Sequence, residues 1–310
     1  MIKIWKQNGK RLVESAILER KCWLQVTAPT ALEIDSLQRE YGIEPDVIPD
    51  ILDIDERSRC EREDSYYLII TRVPIRSEEQ QIPYHTIPFG IILADEIIIT
   101  VNVRDPEFLL HFIEHPPKNI DAGNHNLFVL RLLQRAAAFY LRYLKDIHRK
   151  TGGIEKELQR SIKNSELVNL LDFEKSLVYF TTSLKSNELL LDKLKKTRLK
   201  NMPEFESDLF DDVVTENKQA IEMANIYSNI MGGMRDAFAS VISNNLNSVM
   251  KKLTMISITL MIPTLFASLY GMNISLPFQT SPFTFMGIVG VSLVSAIIGT
   301  VFFAKTGPFK

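Results

Sequence analysis

Cysteine is nearly absent from this chain: Cys22 and Cys60 are the only two, far apart and in no CxxC arrangement. That excludes a disulfide scaffold and a thiolate zinc site, and it fits a reducing compartment. A basic excess is missing too. The 36 Lys and Arg residues face 38 Asp and Glu, a net charge of -2, which argues against a nucleic-acid binder. No Gly-rich phosphate loop ending in Gly-Lys-Ser/Thr is present, so no nucleotide-driven step is expected. Residues Met1 to Ser15 mix Lys3, Lys6, Lys10, Arg11 and Glu14 with isolated apolar residues. They carry no sustained apolar leader, and the bulky part of the chain is expected to stay in the cytosol. Charge itself is lacking in one region: it is dense from Met1 to Lys252, vanishes over residues 253–304, and returns at Lys305.

What is present divides accordingly, and 310 residues leave room for more than one structural unit. The first stretch reads as α/β. Strand-like runs at Cys22–Val26, Tyr66–Val73, Ile87–Leu93 and Ile97–Val103 are rich in β-branched and aromatic residues and are punctuated by Pro, Asp and Gly. Thr30–Tyr41 and Asp46–Ile54 read as short helices, the first with a capping-competent Thr30. From Asn124 a helical period takes over. One helix is expected from Asn124 to Ile162 despite Gly152 and Gly153, and a second from Ser165 to Leu199. A third opens at Pro203, with Glu204, Glu206 and Asp208 in its first turns, and nothing stops it before Tyr270. At 1.5 Å per residue that is about 100 Å of helix, which needs neighbours from a bundle or a symmetric oligomer.

Thr254–Met272 and Phe283–Ala304 are uncharged runs of about the 20 residues needed to cross a bilayer core. Lys251 and Lys252 precede the first, Lys305 and Lys310 follow the second, and Ile274–Pro282 between them has no Lys or Arg. By the positive-inside rule both termini face the cytosol. The second span carries Gly287, Gly290, Ser292, Ser295, Ala296 and Gly299, which suit close packing. The first carries a stripe: Asn247, Met250, Thr254, Ser257, Met261, Thr264, Ser268 and Gly271 follow at spacings of three and four, along one helix face. Such a face either packs on another helix or, repeated around a symmetry axis, lines a narrow uncharged pore. The long charged helix already demands an oligomer, which favours the pore.

Tyr270-Gly271-Met272-Asn273 ends the first span and resembles the Gly-Met-Asn signature of the CorA metal-ion transporters. The resemblance extends back through Asn247, Leu253, Met261, Thr264 and Ser268, and covers the whole chain in architecture. It implies a funnel-shaped homopentamer: a cytosolic α/β domain over 1–123, antiparallel long helices over 124–202, and a stalk helix over 203–252. The pore helix would occupy 253–273, an outer loop 274–282, the second membrane helix 283–304 and a cytosolic tail 305–310. It also implies a channel rather than an enzyme, in the cell (inner) membrane. Mg²⁺ uptake would be driven by the membrane potential, with Co²⁺, Ni²⁺ or Zn²⁺ as alternative cargo. Gly271, Met272 and Asn273 would form the outer cation site, Leu253 and Met261 hydrophobic constrictions, and Asn247 a polar ring. Mg²⁺ prefers oxygen ligands and releases its waters reluctantly. With no carboxylate between Thr254 and Ala304, the pore offers only carbonyls, hydroxyls and amides to a hydrated ion.

Regulation follows from the same resemblance. Gly42-Ile43-Glu44-Pro45 and Asp50-Ile51-Leu52 are similar to a segment whose aspartate shares a regulatory Mg²⁺ with an aspartate on a neighbouring subunit's stalk, matched here by Asp236. Asp212 matches one member of a second regulatory set, whose acidic companions correspond to Pro49 and an alanine. Asp50 and Asp236 read alternatively as solvated surface charges. A different class, a membrane-anchored coiled-coil scaffold, would show a strict apolar seam and no polar stripe. His111, Glu114 and His115 spell the HxxEH order of a zinc-peptidase helix, but Pro116 and Pro117 end that helix at once.

Overall fold

A computed structural model describes residues 1–9, 11–77, 81–94, 96–118, 120, 122–160, 164–197, 203–274 and 281–306, the side chains of 159, 160 and 303–306 aside. The expected break at Asn201 and Met202, the loop residues 275–280 and Lys310 lie outside the described residues. The chain divides into two units, Met1–Arg235 and Asp236–Lys310, the division falling inside one helix.

The first unit is built on a seven-stranded sheet of order β2-β1-β3-β7-β6-β5-β4. Its strands are β1 (Ile2–Asn8), β2 (Arg11–Ser15), β3 (Trp23–Thr27), β4 (Arg59–Arg62), β5 (Tyr66–Arg76), β6 (Tyr84–Ala94) and β7 (Ile97–Asn102). All neighbours are antiparallel except β3 and β7, which pair Trp23 with Ile98 through Thr27 with Asn102. Both faces are covered, which explains why β5, β6 and β7 are buried almost throughout and read as largely apolar rather than as alternating. Strands β5 and β6 run further than expected. Pro74 and Pro88 do not end them, because each stands where one flanking strand has already stopped pairing: β4 at Ile70, β7 at Phe89.

On one face lie α1 (Ala31–Tyr41) and α2 (Val47–Leu52). Thr30 and Glu33 form a reciprocal capping box at the start of α1, and Gly42, at φ 64°, closes it in the left-handed conformation. Leu37, Val47, Ile48 and Ile51 pack there against Leu68, Ile70, Ile92, Ile99 and Val101. Gly90 of β6 lets α2 come close. A Cβ at that position would stand 2.5 Å from Ile51 Cδ1.

The other face receives α3 (Glu107–Glu114), α4 (His125–Arg160) and α5 (Asn164–Thr197). Trp23 donates its indole N–H to Thr100 Oγ1 at 2.8 Å and meets Phe112 and Phe128 edge-on. Helix α5 docks through Phe173, Leu177, Phe180, Leu184, Leu191 and Leu194, buried residues recurring at helical spacing. Asn187 sits in that row and bonds the sheet with both ends of its amide: Oδ1 accepts from Thr71 Oγ1 (3.1 Å) and the Arg72 amide (3.0 Å), and Nδ2 donates to the Arg72 carbonyl (2.8 Å).

Helix α6 (Glu204–Tyr270) is 67 residues long and carries Pro263 inside it. In the first unit it buries Leu209, Phe210, Val213, Asn217, Ala220, Ala224 and Met231. In the second unit, every residue from Ala239 to Thr254 is exposed in the protomer. Helix α7 (Thr284–Thr306) completes that unit, and α6 and α7 are each long and apolar enough to cross a membrane.

Candidate pore helix and cation-sensing residues

The membrane part of α6 has two distinct faces. Met255, Ile258, Thr259, Ile262, Pro263 and Phe266 are half-buried, at spacings that put them on one side of the helix. That side meets α7: a Cβ at Gly299 would stand 3.3 Å from Ile262 Cδ1. Asn247, Leu253, Ser257, Met261, Thr264 and Ser268 are all exposed, Met261 by 67%. At about 100° per residue, the centre of their stripe lies roughly opposite the α7-facing side. The hydroxyl-bearing face is therefore not what packs the two membrane helices of one protomer together. Gly287 and Gly290 of α7 likewise have nothing within 4 Å of a would-be Cβ, so of the expected packing glycines only Gly299 fills that role within the protomer.

Thr264 donates its hydroxyl hydrogen to the Leu260 carbonyl at 2.9 Å, and Thr254 to that of Met250 at 2.9 Å. The hydroxyl oxygens then present lone pairs outward as acceptors. Acceptors are what the outward-pointing hydrogens of a hydrated cation require. Pro263 lacks the N–H that would bond the Thr259 carbonyl, which weakens the helical ladder at mid-span.

Gly271, Met272 and Asn273 follow α6 directly and are exposed. The Gly271 amide donates to the Ala267 carbonyl at 3.0 Å, closing the helix, and a Cβ there would sit 3.3 Å from that same oxygen.

The three carboxylates expected to sense cations occupy different settings. Asp50 lies on α2, 44% exposed, with Oδ2 accepting from Arg59 Nη2 at 2.8 Å. It is thus an ion-paired residue on a firmly docked helix, not an unattached surface charge. Arg59 also binds Glu56 through Nη1 and Glu61 through Nε, the latter at 3.0 Å. Burial works against its charge, but the Asp50 hydrogen bond and the charges of Glu61 and Glu56 prevail and raise its pKa. Asp236 opens the second unit on α6, and its carbonyl accepts from Ser240 Oγ at 3.1 Å. Asp212 is exposed on α6 one turn before Glu216. Burial raises the Glu216 pKa and the Asp212 charge adds to it, against Arg135. Among the described residues no group of three or more His, Cys, Asp or Glu is placed to hold a metal within one chain. The His111 and His115 rings lie tilted against each other with centroids 4.7 Å apart, and Arg135 bonds His111 Nδ1 at 3.2 Å, which leaves no peptidase-like zinc site there. Sequence reasoning passed over Arg59, whose only sequence signal is a basic residue set among Glu56, Glu61 and Glu63.

A model of the family described as CorA-like Mg2+ transporter protein matches residues 19–305. The chain belongs to this family. It is 25% identical over 293 residues to the cobalt/magnesium transport protein CorA of Methanocaldococcus jannaschii, covering 93% of this chain and 91% of the relative. To the protein of the same description from Thermotoga maritima it is 22% identical over 290 residues, covering 91% and 82%. The complete structure of the M. jannaschii CorA magnesium transporter superposes with a TM-score of 0.82 at 23% identity, over 99% of this chain and 98% of that one. A family of membrane transporters accounts for the two apolar carboxy-terminal helices and for a mixed-sheet domain joined to a long stalk helix. The chain is a transport protein rather than an enzyme.

Proposed function

We propose that the chain is one subunit of a homo-oligomeric cation channel, a pentamer as the family resemblance implies, that admits Mg²⁺ down the membrane potential. The observation that carries this reading is the hydroxyl face of α6, turned away from α7 and left uncovered by its own protomer. Copies set around an axis bring that face inward, and Asn247, Leu253, Ser257, Met261, Thr264 and Ser268 line the passage. A coiled-coil scaffold has no use for such a face. The exposed apolar residues Val241, Ile242, Leu246 and Val249 supply the contact surface between copies.

Gly271, Met272 and Asn273 form the outer cation site, with the Asn273 amide binding waters already on the ion. No carboxylate strips those waters, so Mg²⁺ passes hydrated. A divalent ion gains about 4.6 kcal/mol per 100 mV, twice the value for a single charge. Lys251 and Lys252 before the first span and Lys305 after the second keep both termini in the cytosol of an inner-membrane protein. Cytosolic Mg²⁺ bound between Asp50 of one subunit and Asp236 of the next screens two repelling carboxylates and holds the ring closed. Asp212 matches one member of a second regulatory set, but with Pro49 and an alanine in place of its acidic companions it lacks the partners for a second site. Co²⁺ is the second cargo, since the named relatives include cobalt/magnesium transport proteins.

The test is flux into proteoliposomes, with and without an imposed potential, for Mg²⁺, Co²⁺, Ni²⁺ and Zn²⁺. Potential-dependent Mg²⁺ entry that drops at least tenfold in Asn273→Ala is the expected result. Flux unchanged by that substitution refutes the outer-site assignment, and no flux of any divalent ion refutes the channel.

A further inference from the structure

Arg59 is shared among three carboxylates: Nη2 reaches Asp50 at 2.8 Å, Nε reaches Glu61 at 3.0 Å, and Nη1 donates to Glu56. One guanidinium thus faces three negative charges, with its side chain only 25% exposed. The partners are held in place from several sides. Arg59 opens β4 and is paired in register with Ile70. Ile48 and Ile51 of α2 are fully buried. Between α2 and β4, the Ile54 and Glu56 carbonyls accept from Arg72 Nη1 at 2.8 and 2.6 Å. Arg72 is tied in turn to Ser183 at 3.1 Å and to the Thr86 carbonyl at 3.1 Å. The Asp50–Arg59 pair is therefore pre-positioned, and little side-chain entropy opposes it.

A carboxylate that accepts from a guanidinium has less charge and fewer lone pairs to give a second cation. Mg²⁺ can take Asp50 fully only if Arg59 yields it. Glu56 and Glu61 make that exchange feasible, because they retain the guanidinium when Asp50 is lost and no half-buried charge is stranded. We propose that Arg59 is a built-in competitor of the regulatory cation at Asp50, and that this ion pair sets how much cytosolic Mg²⁺ closes the channel. The inference rests on Asp50 being a cation sensor. The pair is intact when Asp50 is free of metal and is given up when Mg²⁺ binds, so it stabilises the open, metal-free state. Removing it shifts closure to lower Mg²⁺.

The experiment is current through the full-length protein in inside-out membrane patches, with Mg²⁺ varied on the cytosolic side. Arg59→Gln lowers the half-closing concentration about two- to fivefold, the factor an ion pair of this exposure is worth. Arg59→Lys falls between, since one ammonium cannot serve three carboxylates as a fork does, and it carries the test if the Gln variant fails to reach the membrane. Asp50→Asn raises the half-closing concentration, and adding Arg59→Gln to it changes nothing further. A structural role for Arg59 would instead reduce maximal current or thermal stability without moving the midpoint downward. If Asp50→Asn shifts closure and the Arg59 variants leave the midpoint unchanged or raise it, the competitor idea is overturned and the sensor stands. If Asp50→Asn leaves closure unchanged, the sensor reading is lost and the competitor with it.

Discussion

Substituting Ala for Gly90 tests how tightly α2, and with it Asp50, is fixed to the sheet. The added Cβ would lie 2.5 Å from Ile51 Cδ1, 2.7 Å from Cγ1 and 2.8 Å from Cγ2. Carbon atoms in contact stand about 3.5–4.0 Å apart, so the two elements must separate by roughly 1 Å. Neither is free to give way: Gly90 pairs with Ile70 on one side and Val101 on the other, and Ile51 is fully buried. Overpacking of this kind costs about 1–3 kcal/mol. At about 2–4 °C per kcal/mol for a unit of this size, the thermal transition falls by roughly 2–12 °C. The assay is thermal unfolding of the full-length protein in detergent, followed by intrinsic fluorescence, for Gly90→Ala, Ile51→Ala and the pair. Ile51→Ala alone costs about 2–5 kcal/mol through the cavity it leaves. In the double variant the new methyl enters that cavity, so the two losses are less than additive by at least about 1 kcal/mol. A neutral Gly90→Ala, or strict additivity, would refute the close approach on which the placement of Asp50 depends.

Two further outcomes follow from polar groups of the first unit. Asn187→Ala leaves the Thr71 hydroxyl and the Arg72 backbone without the partners that join α5 to the sheet, and costs about 2–4 kcal/mol by thermal unfolding; Asn187→Asp also destabilises, because it loses the donor to the Arg72 carbonyl and sets a carboxylate oxygen against it in a buried site. His85 is held neutral by burial and by Arg104, whose Nη2 lies 2.9 Å from Nε2, and its pKa is pushed down to about 4. Its folded value lies below the unfolded one, so its contribution is present above about pH 6.5 and is lost as pH falls toward 4. Partial exposure screens this to about 1–2 kcal/mol, and His85→Gln should flatten that part of the stability-versus-pH curve.

The elements that sequence reasoning located are those whose signal is local. The cap at Thr30, the four runs that became β3, β5, β6 and β7, and the unbroken period of α6 can all be read without knowing the fold. The hairpin β1–β2 was not among them. All its residues but Leu12 are exposed or half-exposed, and they are interleaved with Lys3, Lys6 and Arg11, so neither alternation nor an apolar run stands out. The signal that marks it is Asn8-Gly9, with Gly9 at φ 61° between strands in register. Strand β4 is short and charged, as suits the exposed edge of a sheet, and for that reason looks like a loop. Arg59 was invisible for a different cause. Its three partners come from α2, from the segment after it and from β4 itself, and only the folded chain brings them to one guanidinium.

Under the proposed function, the same periodicity that defines the pore face also explains how a sensor on α6 can govern it. Asp236, Ser240, Ser243 and Asn247 continue the stripe toward the amino terminus at spacings of four, three and four. Eleven residues from Asp236 to Asn247 amount to three turns within about 20°, and Thr264 lies within roughly 80° of the same line. A rotation of α6 about its axis therefore turns the regulatory carboxylate and the constricting residues together. Over the roughly 40 Å from Asp236 to Met261 no Pro or Gly interrupts the helix, and the first such break is Pro263. Losing the cation at Asp236 releases repulsion at one end of a rigid rod, and Asn247, Leu253, Ser257 and Met261, which all precede Pro263, turn with it. No separate coupling element is needed, because sensor and gate are positions on one helix.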